Sequence, residues 1–296
     1  MLRSNVGIMK GSSVGDEGGT IGLGRPWTPE KGQLSMRTYV VTGSASGIGA
    51  ATAELLRERG HKVIGVDLRN AEVNADLSTA AGRASAIADT LLASAGKIDA
   101  VIAAAGVSAP KAFTVAVNFF GVTAFLEGLL PALSASSAPR VAVVSSMASL
   151  QVNSEALVEA LMAGDETEAL RIGGELEAAG PRTGYLNYPS SKRAISRWIR
   201  RECITEAWAG AGIPLNAVAP GTVITNMTRE LLATEEGRKM ADDNVPMPLN
   251  YHSEAVVIAR MLAWLTSEEN THVTGQTIYI DGGADATLRG DDIWSK

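Results

Sequence analysis

The stretch Thr42-Gly43-Ser44-Ala45-Ser46-Gly47-Ile48-Gly49 decides the fold of this chain, because it joins a short apolar run to a helical pattern. The run before it, Tyr39-Val40-Val41, has the composition of a buried strand, and the apolar helical pattern after it continues to about Arg59. Glycines at such a junction allow a tight turn, and the first amides of the helix can bind a phosphate. A tight turn with no ligand would also need glycines, so the rest of the chain must decide.

Outward from this turn, short apolar runs alternate with helical patterns. The further predicted strands are 62–67, one ending at 75–77, 98–106, 140–146, 214–220 and 276–281, and the clearest helices are 79–94 and 113–135. Near-continuous apolar strands separated by helices predict a parallel sheet covered on both faces. The predicted fold is therefore α/β, a Rossmann-type doubly wound sheet of about seven strands in a single domain.

Residues 1–35 differ from the rest, because they are rich in glycine and serine and lack apolar periodicity. This composition predicts a disordered leader. Met36 directly precedes the first strand, so a start codon assigned too early explains the segment equally well. Residues 36–296 are predicted to form the folded domain.

The composition excludes several classes of protein. Hydrophobic residues make up 46% and charged residues 20%, which suits a soluble globular protein, and a net charge of -6 without a basic stripe argues against nucleic-acid binding. No apolar run approaches the ~20 residues that span a bilayer, so no membrane partner is expected. A single cysteine, Cys203, and three histidines make a disulfide or a metal site unexpected and favour a cytoplasmic location.

Two residues one helical turn apart, Tyr188 and Lys192, are candidates for proton transfer. Positions i and i+4 of a helix share a face, so the spacing sets a phenol beside an ammonium. A nearby cation lowers the pKa of a tyrosine by about 1 to 3 units, which would make Tyr188 an acid or base. The spacing alone also occurs on solvated helix faces, so it needs support from elsewhere in the chain.

A carboxylate at the end of the second strand indicates which dinucleotide is bound. Asp67 can accept hydrogen bonds from the ribose hydroxyls of an adenosine, and it would repel a 2′-phosphate. NAD(H) is therefore expected as the cofactor rather than NADP(H). Arg69, two residues further on, would weaken this preference.

Together these residues resemble the short-chain dehydrogenase/reductase family. Its signatures T-G-x-x-x-G-x-G and Y-x-x-x-K match Thr42 to Gly49 and Tyr188 to Lys192, and the resemblance covers about residues 37–288. The resemblance implies that Ser146 hydrogen-bonds the substrate oxygen, that Lys192 also binds the nicotinamide ribose and that Asn118 holds a water on a proton path. The cofactor-binding residues it implies are Gly43, Ser46, Gly47, Ile48, Gly49, Asp67, Leu68, Asp76, Leu77, Gly106, Tyr188, Lys192, Gly221, Val223 and Thr225.

Each of these assignments has an alternative. Ser146 could cap the end of a strand, and its neighbour Ser145 could point into the cleft in its place, because strand side chains alternate between faces. Asn118 could satisfy a helix kink. Tyr185 could be the base, although no basic residue follows it at the spacing of Lys192.

The chain departs from the family pattern in two places. Ala103-Ala104-Ala105-Gly106 replaces the usual N-N-A-G, which puts local packing in doubt more than activity. An insertion at 151–184 separates Ser146 from Tyr188 and is predicted to form two short helices. Ser154 and Asp165 are their expected N-caps, and Asp165-x-x-Glu168 has the form of a capping box.

The insertion, the segment 65–79 and the ending Ile280-Asp-Gly-Gly-Ala-Asp are similar to the hydroxysteroid dehydrogenase and carbonyl reductase branch of the family. In that branch the insertion covers the surface through which most members form tetramers, which implies a homodimer. A surface excursion with no role in assembly is the alternative.

Residues 222–250 are expected to form a mobile apolar lid over the substrate, with Met227, Leu231, Leu232 and Met240 at roughly helical spacing. These side chains could instead be core contacts of a surface helix. The main hypothesis is an NAD-dependent dehydrogenase/reductase of a small apolar secondary alcohol or ketone, with hydroxysteroids among the candidate substrates. Dehydrogenation of another aromatic or cyclic alcohol, and a non-catalytic NAD-binding regulator, are the alternatives.

Overall fold

The structure, a computed structural model, describes residues 35–294. Within these residues, seven parallel strands form the central sheet. In chain order the strands are β1 Thr38–Thr42, β2 Lys62–Asp67, β3 Val73–Asn74, β4 Ala100–Ala103, β5 Arg140–Val144, β6 Leu215–Pro220, β7 Val223–Ile224, β8 Ser253–Glu254 and β9 Thr277–Ile280. The sheet has the order β3-β2-β1-β4-β5-β6-β9, and β7 and β8 form a separate parallel pair. The predicted Rossmann-type sheet is confirmed.

Helices connect the strands in the order that a doubly wound fold requires. They are α1 Gly47–Glu58, α2 Ala80–Ser94, α3 Phe113–Val115, α4 Gly121–Ser134, α5 Glu155–Ala163, α6 Glu166–Ala178, α7 Pro181–Gly184, α8 Asn187–Glu202, α9 Arg229–Ala233, α10 Glu235–Asn244, α11 Ala255–Leu265 and α12 Ala284–Arg289. Ala116–Phe120 and Glu206–Gly210 are π-helical turns, and Met147–Leu150 is a 3₁₀ turn.

The sheet is buried on both faces because neighbouring residues of its strands enter different cores. Val40 packs into the core on the side of α4 and α8, whereas Tyr39 and Val41 pack into the core on the side of α1 and α11. The chain winds outward from β1 to β3 and then returns to β4 on the other side of β1. The winding therefore reverses between β1 and β4, and ligands of such sheets bind outside the carboxyl ends of the strands at this point.

The third strand is shorter than the sequence predicted. It ends at Asn74, and Ala75 to Leu77 follow it as a loop rather than as strand. Asp76 turns the chain toward α2, because its Oδ1 accepts hydrogen bonds from the backbone N–H of Ser78 at 2.9 Å and from the Ser78 hydroxyl at 2.7 Å.

The prediction that no apolar run approaches the length of a bilayer span was wrong for one continuous helical stretch, Phe113–Ser134. It has 22 residues and a mean hydropathy of 1.6, so it qualifies by length and composition alone. Most of its apolar window, 67%, is buried within the protein, as in the core helix of a globular domain. The length arises because α3, the π-helical turn and α4 follow one another without a break.

The insertion at 151–184 forms three helices, α5, α6 and the short α7, where two were predicted. The predicted caps are confirmed: Ser154 accepts from the N–H of Leu157, and Asp165 accepts from the N–H of Glu168. The predicted capping box is only half formed. The Glu168 side chain pairs with Arg171, and the Asp165 N–H donates to the carbonyl of Ala160 at 3.1 Å.

Candidate active site

A cavity of about 570 Å³ opens at the carboxyl ends of β1, β4, β5 and β6, beside the reversal of the winding. Its lining contains nearly all of the site residues that the sequence analysis predicted, and Asn118 lies directly behind its wall. Parallel strands whose carboxyl ends meet at one edge bring these distant parts of the chain together.

The glycine turn after β1 approaches the loop after β4 too closely for a side chain. Gly43 has a φ of +70°, and a Cβ there would lie 2.8 Å from the backbone nitrogen of Ala105. A Cβ at Gly49 would lie 2.1 Å from the carbonyl oxygen of Gly43, so this glycine lets α1 start directly against the turn. Ser46 precedes α1 without a side-chain cap, which leaves the first amides of the helix facing the cavity. The turn therefore fits a pyrophosphate.

Small residues replace the family's asparagines on the opposite side of the turn. The N–H of Ala105 donates to the Thr42 hydroxyl at 3.0 Å, and this bond joins the ends of β1 and β4. Thr42 and the close approach of Gly43 thus stabilise the local packing around Ala103–Gly106, although the family's asparagines are absent there.

Asp67 lies at the end of β2 on the wall of the cavity, where a ribose-binding carboxylate was predicted. Its Oδ2 accepts from the N–H of Ala45 at 2.9 Å, and its Oδ1 accepts from the N–H of Leu68 at 2.7 Å. These bonds fix the carboxylate beside the glycine turn. Leu68, Asp76 and Leu77 line the same end of the cavity and form an apolar and acidic rim suited to an adenosine.

Tyr188 and Lys192 lie in the first turns of α8, on the face turned toward the cavity. The Lys192 ammonium lies 5.9 Å from the centre of the Tyr188 ring and donates to the carbonyl of Val144 at 2.8 Å. Only 4% of Lys192 is exposed. The predicted pairing along the helix is therefore present, at the end of β5.

The expected lowering of the Tyr188 pKa by Lys192 is wrong. Burial raises the pKa of Tyr188 to about 12, and a hydrogen bond with Ser146 opposes this only in part. Burial also lowers the pKa of Lys192 to about 8. Both shifts have the same physical reason, since each group loses water when it is charged and buried.

The two candidate serines at the end of β5 face different partners. The hydroxyl of Ser145 donates to the carbonyl of Lys192 at 3.1 Å and contacts the Ser196 hydroxyl at 2.8 Å. The Ser146 hydroxyl lies near Tyr188 and opposes the rise of its pKa, and its Oγ accepts from the N–H of Ala148 at 3.1 Å. Ser146 is thus the serine beside the tyrosine, and it is a cap at the same time.

Asn118 is fully buried within the π-helical turn. The alternative that Asn118 satisfies an irregularity of its helix therefore remains open. Its Oδ1 accepts from the N–H of Val107 at 2.9 Å, and its Nδ2 donates to the Val107 carbonyl at 2.9 Å and to the Ser191 hydroxyl at 3.1 Å. A Cβ at Gly106 would lie 3.2 Å from Asn118 Oδ1 and 3.4 Å from Lys192 Nζ. Asn118 therefore lies close to the ammonium.

The segment after β6 closes the cavity from the other side. Gly221, Val223 and Thr225 line it, and Thr225 faces Gly47, whose Cβ would lie 3.5 Å from Thr225 Cγ2. The N–H of Thr225 donates to the Thr228 hydroxyl at 3.1 Å, which holds the segment in a tight turn. These residues lie where the resemblance places them.

Only part of the predicted lid faces the cavity. Residues 222–250 contain β7, α9 and α10, and of the four apolar residues predicted to cover the substrate, Met227 alone lines the cavity. Leu231 and Met240 are exposed elsewhere, because α9 and α10 are short surface helices. Sequence reasoning missed Val107 and Phe113, which line the opposite wall. An aromatic residue at the start of the long helix after Gly106 was the available signal for Phe113.

A glycine turn at a helix N-terminus and a tyrosine beside a buried lysine, which open into one cavity, define a dinucleotide-dependent oxidoreductase with a Rossmann-type domain. The chain belongs to the short-chain dehydrogenase/reductase family. A family model described as "Enoyl-(Acyl carrier protein) reductase" matches residues 43–285. The protein is thus an oxidoreductase that transfers a hydride between a nicotinamide dinucleotide and an alcohol or ketone.

Individual relatives are similar over nearly their full length. The 3-alpha-hydroxysteroid dehydrogenase/carbonyl reductase of Comamonas testosteroni is 38% identical over 259 residues, which cover 86% of this chain and 98% of the relative. The 3-oxoacyl-[acyl-carrier-protein] reductase of Escherichia coli is 29% identical over 82% of this chain and 95% of its own length. The crystal structure of the 3-alpha-hydroxysteroid dehydrogenase from Pseudomonas sp. B-0831 complexed with NADH has a TM-score of 0.78 and 39% identity, covering 86% of this chain and 100% of that one.

Proposed function

We propose that the protein is an NAD(H)-dependent dehydrogenase/reductase of secondary alcohols and their ketones on ring-bearing apolar molecules, with 3α-hydroxysteroids as the leading candidates. One observation carries this proposal: Asp67, Ser146, Tyr188 and Lys192 line a single cavity of about 570 Å³. The names of the relatives from Comamonas testosteroni and Pseudomonas support the substrate class.

The preference for NAD(H) rests on Asp67. Its carboxylate is held against the glycine turn by two backbone amides, so it cannot swing away from a ribose without breaking both bonds. Its free lone pairs can accept from the ribose 2′- and 3′-hydroxyls, whereas a 2′-phosphate would meet like charge. The NADH named for the Pseudomonas structure agrees with this preference.

Tyr188 and Ser146 are proposed as the groups that act on the substrate oxygen. The bound nicotinamide supplies or accepts the hydride at the carbon that bears this oxygen. In ketone reduction Tyr188 donates its phenolic proton to the oxygen, and in alcohol oxidation it takes that proton back. Ser146, which lines the cavity beside Tyr188, donates to the same oxygen and stabilises the charge that develops there.

Lys192 and Asn118 are proposed to hold the cofactor and to resupply the proton. Lys192 is anchored by the Val144 carbonyl at one of its three donor positions, so the others can reach the nicotinamide ribose and a water. Asn118 lies beside Lys192 across Gly106 and is placed to hold that water. A protonated Tyr188 beside a cationic Lys192 at neutral pH is the state needed to start ketone reduction.

The substrate is proposed to lie between Phe113 and Met227. Both side chains line the cavity and are about half exposed in the ligand-free protein. Covering a flat ring system would remove this apolar surface from water, and the flexible methionine can adapt to its shape.

Two further properties belong to the proposal. A homodimer is proposed because the insertion would cover the surface through which most members of the family form tetramers. In agreement with this, the ion pairs of Arg171 with Glu168 and Glu175 cover the outer face of α6, and charged faces are disfavoured at the centre of an interface. A cytoplasmic location is proposed because Cys203 is a free, buried thiol, which suits a reducing compartment.

A substrate panel tests the proposal directly. Androsterone, other 3α-hydroxysteroids, cyclohexanol and aromatic secondary alcohols are mixed with the enzyme and either NAD or NADP, and the reduced cofactor is followed by its absorbance. We expect turnover of the ring-bearing alcohols with a higher kcat/KM for NAD. Better turnover with NADP would contradict the role of Asp67, and no turnover of any alcohol in either direction would contradict the proposed activity.

A further inference from the structure

The loop Val107–Phe113 contributes residues at both of its ends to the lining of the cavity. Val107 and Phe113 both line the cavity, and Phe113 is 48% exposed. The position of the Phe113 ring therefore depends on how firmly the loop is held at its two ends. At the Val107 end both backbone groups are bound by the buried amide of Asn118, at 2.9 Å each.

The other end of this loop is held by the insertion helix α6. Glu177 accepts from the backbone N–H of Ala112 through Oε2 at 2.9 Å and from the Lys111 ammonium through Oε1 at 2.8 Å. Ala112 directly precedes Phe113. One carboxylate thus fixes the backbone next to the residue that faces the substrate.

Close packing supports the same contact. A Cβ at Gly173 of α6 would lie 3.4 Å from the Cα of Ala112, and a Cβ at Gly184 of α7 would lie 2.7 Å from the carbonyl oxygen of Pro110. Gly184 therefore lets the insertion approach the loop backbone directly, and Gly173 lies within van der Waals range of Ala112. The insertion thus contacts the loop at Pro110, Lys111 and Ala112.

The insertion is in turn fixed to the catalytic helix α8. The Asn187 amide donates to the carbonyl of Gly173 at 3.1 Å and to that of Gly184 at 3.0 Å. The N–H of Ser154 donates to the buried Ser190 hydroxyl at 3.0 Å. Glu177 therefore connects the substrate wall to the element that carries Tyr188 and Lys192.

Glu177 lies at an unfavourable place for an acid. It is in the last turn of α6, where the helix dipole disfavours a negative charge. The two bonds to the loop offset this cost, and together they hold the pKa of Glu177 below its usual range.

We propose that Glu177 is a positioning residue that sets the selectivity of the enzyme for bulky ring substrates, by holding the Phe113 wall at a fixed distance from the catalytic helix. The proposal rests on the proposed function, in which Phe113 contacts the substrate. It assigns the insertion a part in shaping the cavity as well as the outer surface of the protein.

The test compares Glu177→Ala with two controls, Lys111→Ala and Glu175→Ala. For E177A we expect the KM for androsterone to rise about tenfold, with kcat and the KM for cyclohexanol close to wild type, because a small ring needs no contact with Phe113. K111A should behave like wild type, because it keeps the bond to Ala112 and loses only an exposed ion pair. E175A removes an exposed acid of the same helix that faces Arg171 instead of the loop.

Hydrogen–deuterium exchange gives a readout that needs no substrate. The amides of residues 107–113 should exchange faster in E177A than in wild type, K111A or E175A, with the rest of the protein unchanged. Equal exchange in all four proteins, or a parallel rise in KM for androsterone, cyclohexanol and NAD, would overturn the proposal. Wild-type enzyme that oxidises neither alcohol would contradict the proposed function, while the exchange experiment would still decide whether Glu177 holds the loop.

Discussion

Burial acts on both members of the Tyr188–Lys192 pair, and in both it disfavours the charged form. The spacing of the two residues was predicted from the sequence, but the predicted direction of the Tyr188 pKa shift was wrong. Spacing reports which groups are neighbours, whereas a pKa also depends on how much water each group loses, and that is known only when the fold is known.

The replacement Lys192→Met should separate stability from activity. Lowering the pKa of a buried lysine from 10.5 to about 8 means that its charge destabilises the folded protein by about 3 kcal/mol at neutral pH. The replacement removes this cost, but it also loses the hydrogen bond to Val144, which offsets part of the gain. We expect the melting temperature to rise by about 2 to 4 °C and turnover to fall at least ~100-fold. Lys97→Met, at an exposed site, is the control for both measurements. A K192M protein that melts below wild type would contradict this account of burial.

The pH dependence of ketone reduction follows from the same two groups. Reduction needs a protonated Tyr188 and a cationic Lys192, and the pKa of Lys192 is about 8 in the free enzyme. We therefore expect kcat/KM for reduction to be level at neutral pH and to fall as the pH rises through about 8, in a step that belongs to the coupled pair. A kcat/KM that rises through this range, or stays level up to pH ~10, would show that the Lys192 charge is not required.

At the scale of the secondary-structure elements, α8 is held from two sides. Ser191 accepts from the Asn118 amide on the cavity side, and Ser190 accepts from the N–H of Ser154 on the side of the insertion. The same short motif that carries Tyr188 and Lys192 therefore carries the residues that fix the helix in place.

Ser190→Ala should disturb catalysis through the position of α8. The change leaves the Ser154 N–H without its acceptor, at a cost of about 1 to 3 kcal/mol, and loosens the helix two residues from Tyr188. We expect a lower melting temperature together with a lower kcat. Ser154→Ala is the matched control: it removes the α5 cap, which is worth ~1 kcal/mol, but keeps the bond to Ser190. Equal kcat values in the two variants would contradict a positioning role for Ser190.

The elements that sequence reasoning predicted well are those with a strong apolar period. The strands β1, β2, β4, β5, β6 and β9 were found because a buried parallel strand is almost continuously apolar. β3 was misplaced because two paired residues leave little signal, and the π-helical turn around Asn118 has no signature in composition. Leu231 and Met240 do not line the cavity, because helical spacing shows that side chains share a face, but not which surroundings that face meets.

Across the whole molecule, the site could be predicted because the fold brings all strand ends to one edge. Gly43, Asp67, Ser146 and Gly221 lie far apart in sequence, yet each lies at the carboxyl end of a strand, so a parallel sheet alone places them together. The contact between α6 and the Phe113 loop could not be found in this way. It joins a helix of the insertion to a loop through one glutamate, and no periodic pattern reports such a contact.

The protein should form a dimer and no tetramer if the charged face of α6, which belongs to the insertion, stays in solvent. Sedimentation equilibrium is expected to give a species of twice the chain mass of 30.8 kDa over a wide range of protein concentration. The same mass should be found at high salt, since the Arg171 ion pairs lie outside the interface. A stable species of four chains would contradict the proposal.

The most direct test of the central claim is the turnover of Tyr188→Phe beside that of Tyr185→Phe. Both changes remove one phenolic oxygen and keep the ring, and the two rings are neighbours, with their centroids 6.0 Å apart. If Tyr188 transfers the proton, kcat of Y188F with a good ring-bearing alcohol should fall by about 10² to 10⁴ while NADH binding is unchanged, and Y185F should stay close to wild type. Wild-type turnover in Y188F, or the loss appearing in Y185F instead, would contradict the account.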